Sequence, residues 1–105
     1  MRFIETSVFT RAVRSLFNDE EYRALQLALL LRPEQGELIH GTGGLRKIRW
    51  AKGKNGKRRG ARIIYFWDAA QETFYMLYVY AKSGQEDLTP EQIRVLKRLV
   101  REEFT

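Results

Sequence analysis

Ala61-Arg62-Ile63-Ile64-Tyr65-Phe66-Trp67 and, a few residues on, Thr73-Phe74-Tyr75-Met76-Leu77-Tyr78-Val79-Tyr80-Ala81 are the stretches whose reading decides the fold. β-branched and aromatic side chains dominate both, and such residues favour a pleated, half-buried surface. Asp68 to Glu72 turns the chain between them. Upstream, Leu45, Lys47 and Arg49 alternate with Arg46, Ile48 and Trp50, the period of two that marks a strand. Residues 51–60 form a Lys/Gly/Asn turn that holds the hairpin dipeptide Asn55-Gly56. The three strands read as an antiparallel meander. The later two are apolar on both faces, so helices must cover the sheet.

Working outward, Arg2 to Thr6 reads as a first strand, and Thr6 or Ser7 caps a helix with Val8, Ala12, Val13 and Leu16 on one side. Asn18 and Asp19 start a second helix, with Glu20 and Glu21 in its positively polarised first turn. Pro33 ends it, because the residue before a proline avoids the helical region. Gly36, Gly41, Gly43 and Gly44 mark residues 36–44 as a loop. Thr89-Pro90-Glu91-Gln92 opens a last helix with an N-cap, a first-position proline and a capping box. The expected architecture is α+β in the order β-α-α-β-β-β-α. It is an antiparallel sheet with an N-terminal helical hairpin on one face and a C-terminal helix.

At 105 residues the chain makes one domain, spanning 1–105, and its 44% apolar content argues against disorder. Cysteine is absent, which removes disulfides and cysteine zinc sites and fits a reducing compartment. Neither a signal peptide nor an apolar run of about 20 residues is visible. The expected location is the cytoplasm.

The net charge is +6, and its distribution carries more than its size. No acid lies between Gly41 and Trp67, a span holding Arg46, Lys47, Arg49, Lys52, Lys54, Lys57, Arg58, Arg59 and Arg62. These are nine of nineteen Lys and Arg residues, which leaves ten against thirteen acids elsewhere, a net of −3. Cations segregated in this way are the footprint of a polyanion partner. A single histidine, His40, cannot make a two-histidine metal site, and no cysteine–histidine pair, serine triad or phosphate-loop signature is present. Carboxylates sit at helix starts and in the Glu86-Asp87 turn, where capping accounts for them. What remains is cations beside tyrosines. Arginine forks clamp phosphate, and positioned cations stabilise the charge of a phosphodiester in transition. A lysine crowded by cations is primed for proton transfer, and in RNA the neighbouring 2′-OH is an internal nucleophile, so neither metal nor cofactor is needed. Of the aromatics, Tyr80, with Trp50 second, is assigned to RNA. The same patch also fits a non-catalytic nucleic-acid-binding module or an interaction surface for an acidic protein.

Gly43-Gly44-Leu45-Arg46-Lys47-Ile48-Arg49, the Lys/Gly turn, Gly60-Ala61-Arg62-Ile63-Ile64-Tyr65 and Tyr78-Val79-Tyr80-Ala81-Lys82 together resemble the RelE superfamily, in particular the HigB-type toxins of type II toxin–antitoxin modules. The resemblance covers nearly the whole chain. It implies ribosome-dependent endonucleolytic cleavage of messenger RNA, translation arrest, and a cognate antitoxin, commonly with a helix-turn-helix domain as in HigA. That antitoxin would neutralise the toxin and bind operator DNA with it. Carried over by position, Lys47, Arg49, Arg62 and Lys82 are the expected catalytic cations. The family's tyrosine near the last helix has no counterpart, and Tyr80 takes its place. Arg46, Lys52, Lys54, Lys57, Arg58 and Arg59 are expected to contact RNA and the ribosome.

Overall fold

The β-rich stretches form the middle of a five-stranded sheet in a computed structural model that describes residues 1–50, 60–81 and 87–104. In chain order the elements are β1 (Arg2–Glu5), α1 (Ser7–Leu16), α2 (Asp19–Leu31), β2 (Glu37–Leu38), β3 (Leu45–Trp50), β4 (Ala61–Asp68), β5 (Thr73–Ala81) and α3 (Pro90–Leu99), which runs on into a π-helical turn, Val100–Phe104. The strand order across the sheet is β1-β5-β4-β3-β2. The meander β3-β4-β5 is antiparallel as the alternation predicts.

Two expectations need correction. The sheet is mixed, not antiparallel, because β1 runs parallel to β5, with Arg2 opposite Thr73 and Glu5 opposite Met76. Strand direction at an edge is set by which backbone groups need partners, and side-chain periodicity carries no trace of it. The loop 36–44 also contains a short strand: Glu37 pairs with Lys47 and Leu38 with Arg46, closing the free edge of β3.

Local capping fixes the helices. Thr6 accepts a hydrogen bond from the Phe9 amide at the start of α1. Asn18 and Glu21 form a reciprocal capping box on α2, and Thr89 and Gln92 form one on α3. Helix α2 stops at Leu31, two residues short of Pro33.

The sheet has a core on each side. Phe9, Val13 and Phe17 of α1 and its C-cap, with Leu25 and Leu29 of α2, pack on Ile48, Ala61, Ile63, Tyr65, Phe74, Met76 and Val79. On the opposite face, Leu88, Leu96 and Val100 pack on Leu45, Ile64, Leu77 and Tyr80. Between the β2 approach and the sheet, the Tyr65 hydroxyl accepts from the Gly36 amide at 2.9 Å and donates to the Pro33 carbonyl at 2.8 Å. A side chain at Gly36 would place its Cβ 2.8 Å from the Tyr65 ring, so only glycine admits this contact.

Candidate nucleic-acid cleavage site

Residues directly opposite in an antiparallel pair project from the same face. Arg49 is opposite Arg62, and Arg62 is opposite Tyr80, so the three form one row across β3, β4 and β5. Lys47, two residues back on β3, shares that face and lies opposite Ile64. With strands about 4.8 Å apart and about 3.4 Å per residue, the row spans roughly 10 Å and Lys47 sits about 7 Å to one side.

Tyr80 faces this row only because of an irregularity in β5. Ile64 pairs with Tyr78 while Tyr65 pairs with Met76, which leaves Leu77 as an extra, unpaired residue. Such a bulge re-aims the side chains beyond it. Before it, Phe74 and Met76 point into the α1/α2 core; after it, Val79 takes that side. Tyr78 and Tyr80 turn instead to the face of Lys47, Arg49 and Arg62. The bulge is held by Thr6: its hydroxyl donates to the Leu77 carbonyl at 2.8 Å and its amide to the Met76 carbonyl at 3.1 Å. One residue thus caps α1 and anchors the bulge.

The environment of the row is electrostatically uneven. Arg49 is exposed, whereas Arg62 is half-buried and its Nη1 atom is fully enclosed, without a hydrogen-bond partner among the described residues. Tyr80 is 5% exposed, and its hydroxyl is likewise enclosed, with no partner among the described residues. Buried polar atoms are normally satisfied, so two orphans side by side in one row require an explanation. Burial pushes the Tyr80 phenol above its ordinary value, and the Asp87 carboxylate adds to this while the Arg62 guanidinium pulls the other way. At neutral pH the phenol therefore keeps its proton and is a donor.

Asp87 belongs to the site although its sequence context pointed to capping. Its Oδ1 lies 3.6 Å from the Lys47 ammonium and accepts the Leu88 amide at 2.8 Å, which fixes the carboxylate against the cations. Gln92 donates to the Tyr78 hydroxyl at 3.0 Å, tying the first turn of α3 to the same face. The signal that could have found Asp87 is its position just before a helix that must cover the basic face of the sheet.

Not every expected residue reaches this place. Arg46 points to the other face, donates to the carbonyls of Glu34 (3.0 Å) and Gly36 (2.8 Å) and pairs with the Glu34 carboxylate at 3.6 Å. It braces the β2 approach. Trp50 packs at the edge of the α1/α2 core, away from the row. Lys52, Lys54, Lys57, Arg58, Arg59 and Lys82 lie outside the described residues. The ring of Tyr80 is covered by the α3-side core and its hydroxyl is enclosed with it, so no aromatic face is available for stacking on a base. Among the described residues no cluster of histidine and carboxylate side chains could hold a metal ion, and no helix is long and apolar enough to cross a membrane.

No protein-family model matches the sequence. Among solved structures, the chain is similar to an arginine-to-alanine double variant of the E. coli toxin RelE in the free state. The TM-score is 0.58 over 80% of this chain and 85% of that one, at 15% sequence identity. The fold is RelE-like. On this RelE-like sheet, the row Arg49–Arg62–Tyr80 occupies the face that α3 covers only in part, with Lys47 and Asp87 at its margin.

Proposed function

We propose that the protein is the toxin of a type II toxin–antitoxin module and a metal-independent endoribonuclease that cleaves messenger RNA on the ribosome. The observation that carries the reading is the pair of enclosed, unpartnered atoms, Arg62 Nη1 and Tyr80 OH, set side by side in a row of cations. In this reading the groups that cover the two donors move aside as RNA enters, and the bound phosphodiester supplies the acceptor oxygens that both lack. Leaving such donors unsatisfied costs about 1–3 kcal/mol each, which an incoming phosphate recovers.

The chemistry follows from RNA itself. The 2′-OH gives its proton to water and bonds to the adjacent phosphorus. The P–O5′ bond breaks, and the 5′-oxygen leaves as a hydroxyl on taking up a proton, which leaves a 2′,3′-cyclic phosphate. The extra negative charge of the transition state falls between Arg49 and Arg62. Removing one such preorganised donor typically costs about 10²–10³ in rate. The protonated Tyr80 phenol donates to a phosphoryl or departing oxygen. Lys47, held near Asp87, exchanges its carboxylate partner for phosphate as the strand enters. The segregated cations of residues 52–59 add sequence-independent affinity for ribosomal RNA. Partners in this reading are the ribosome and an antitoxin of the helix-turn-helix, HigA-like kind. The toxin acts in the cytoplasm, and a HigB-type toxin is the subfamily we favour.

The test is inducible expression followed by primer extension on a translated message. Wild-type protein should arrest growth and leave cuts in phase with codons; Arg62→Ala should remove both while the purified variant keeps its thermal midpoint. Intact messages despite growth arrest would overturn the nuclease reading. A fully toxic Arg62→Ala would dismiss the assigned row.

A further inference from the structure

We infer that the outward face of α3 is a second RNA contact, a cationic track that grips the phosphate backbone of a structured RNA beside the cleavage row. The inference rests on the nuclease reading and extends it to how the substrate assembly is held.

Helix α3 buries Leu96 and, just past its end, Val100, and leaves Arg94, Lys97, Arg98 and Arg101 exposed. At 3.6 residues per turn, Arg94, Lys97 and Arg98 fall within an arc of about 100°, and Arg101 continues it one turn later. Glu91 and Glu102 lie on one flank of this arc, so the segment looks nearly balanced in linear sequence while its face is not. Arg94 meets Glu91 at 3.9 Å across an exposed pair, which contributes little. Among the described residues Lys97 and Arg98 have no ionic partner.

Placement links the arc to the site. The start of α3 touches the proposed active face through Gln92 on Tyr78, and Asp87 just before it meets Lys47. The far end reaches the loop before β3, where Lys97, Val100 and Arg101 line a hollow of about 210 Å³ with Thr42 and Gly43. The cations therefore lie on a helix that starts at the margin of the candidate row and ends at the loop before β3. A strand whose scissile phosphate sits on Arg62 is part of a larger polyanion, and this track lies next to it.

The composition of the arc favours nucleic acid over protein. Protein interfaces need an apolar or aromatic centre and are poor in lysine. This arc has only cations; the exposed Val95 lies beyond Glu91 on the acidic flank, facing a separate groove with Val8 and Leu99. Charges repeating with each helical turn, about 5.4 Å apart along the axis, suit contacts that follow a backbone without reading bases.

The experiment uses the full chain carrying Arg62→Ala, so that the probes stay intact, with and without Lys97→Glu and Arg98→Glu. Binding to purified ribosomes, to an RNA hairpin and to polyglutamate is measured across salt. The double variant should keep its thermal midpoint, bind ribosomes at least about tenfold more weakly at about 0.1 M salt, and lower the salt slope by about two. Lys97→Arg should bind as the parent does. If the parent binds ribosomes and the double variant matches it in affinity and slope, the track is wrong and the nuclease reading stands. If the parent binds neither RNA probe, both fall. Binding to polyglutamate in the same range as the hairpin, with both lost together, would assign the arc to an acidic protein and overturn the inference.

Discussion

At the residue scale the candidate site holds two enclosed polar atoms that have no partner among the described residues. Tyr80 carries a hydroxyl that the described residues enclose and do not satisfy. Tyr80→Phe removes that atom and keeps the ring in the α3-side core. We expect the variant to be at least as stable as the parent, gaining up to about 1–3 kcal/mol, while RNA cleavage falls by about 10²-fold. Denaturant melts and primer extension on the same preparation test this. A loss of stability would show that the hydroxyl has a structural partner, and undiminished cleavage would remove it from the chemistry. Tyr65 is the contrast: its hydroxyl both accepts and donates, to Gly36 and Pro33, and so belongs to the scaffold. The residue types of the row were legible from sequence, since Lys47, Arg49 and Arg62 alternate on strands that had to pair. Arg46 was not legible as a brace, because an alternating strand does not announce which of its two faces meets backbone carbonyls.

At the scale of elements, the bulge at Leu77 decides which face Tyr80 serves, and Thr6 decides whether the bulge holds. Thr6→Ser keeps the hydroxyl and should behave as the parent. Thr6→Val keeps the shape but loses both the cap and the bond to the Leu77 carbonyl. It should cost about 1–3 kcal/mol and reduce cleavage beyond what the stability loss explains at a temperature where the variant is folded. Equal cleavage by folded Thr6→Val would show that the bulge persists without it. The helix caps at Asn18 and Thr89 were readable from sequence because a capping box spans only four residues. The bulge was not, since Leu77 and Tyr78 are both apolar and neither face rejects them. Nor was the α3 track, because charge counted along the chain averages over faces that a helix separates. β1 was readable as a strand, but its parallel direction is fixed by the open edge of β5, a partner about seventy residues away.

Across the whole molecule, three tyrosines, Tyr22, Tyr65 and Tyr80, share one direction: burial raises each phenol above its ordinary value, reinforced for Tyr22 by the Glu5 carboxylate it donates to. The folded state therefore holds these protons more tightly than the unfolded chain does. Their contribution to stability is complete below the unfolded value of about 10 and is lost as pH rises through the higher folded values. Urea midpoints should stay level on this account from about pH 8 to 10 and fall steeply above it. Tyr65→Phe should be less stable at neutral pH but show a shallower alkaline fall. A midpoint that ignores pH above 10 would contradict the enclosed placement of these rings.

The position of β5 between β1 and β4 bears on how the chain is made. Arg2 and Phe3 leave the ribosome about seventy residues ahead of their partners Thr73 and Phe74. Pairings so distant in sequence carry a loop-closure cost before they return any contact, and they slow folding. During synthesis Arg49 and Arg62 exist for some time without Tyr80 between the strands that must hold it, so a growing chain has cations but no row. A protein with the activity proposed above would thus gain the third member of its row only once β5 has emerged and paired.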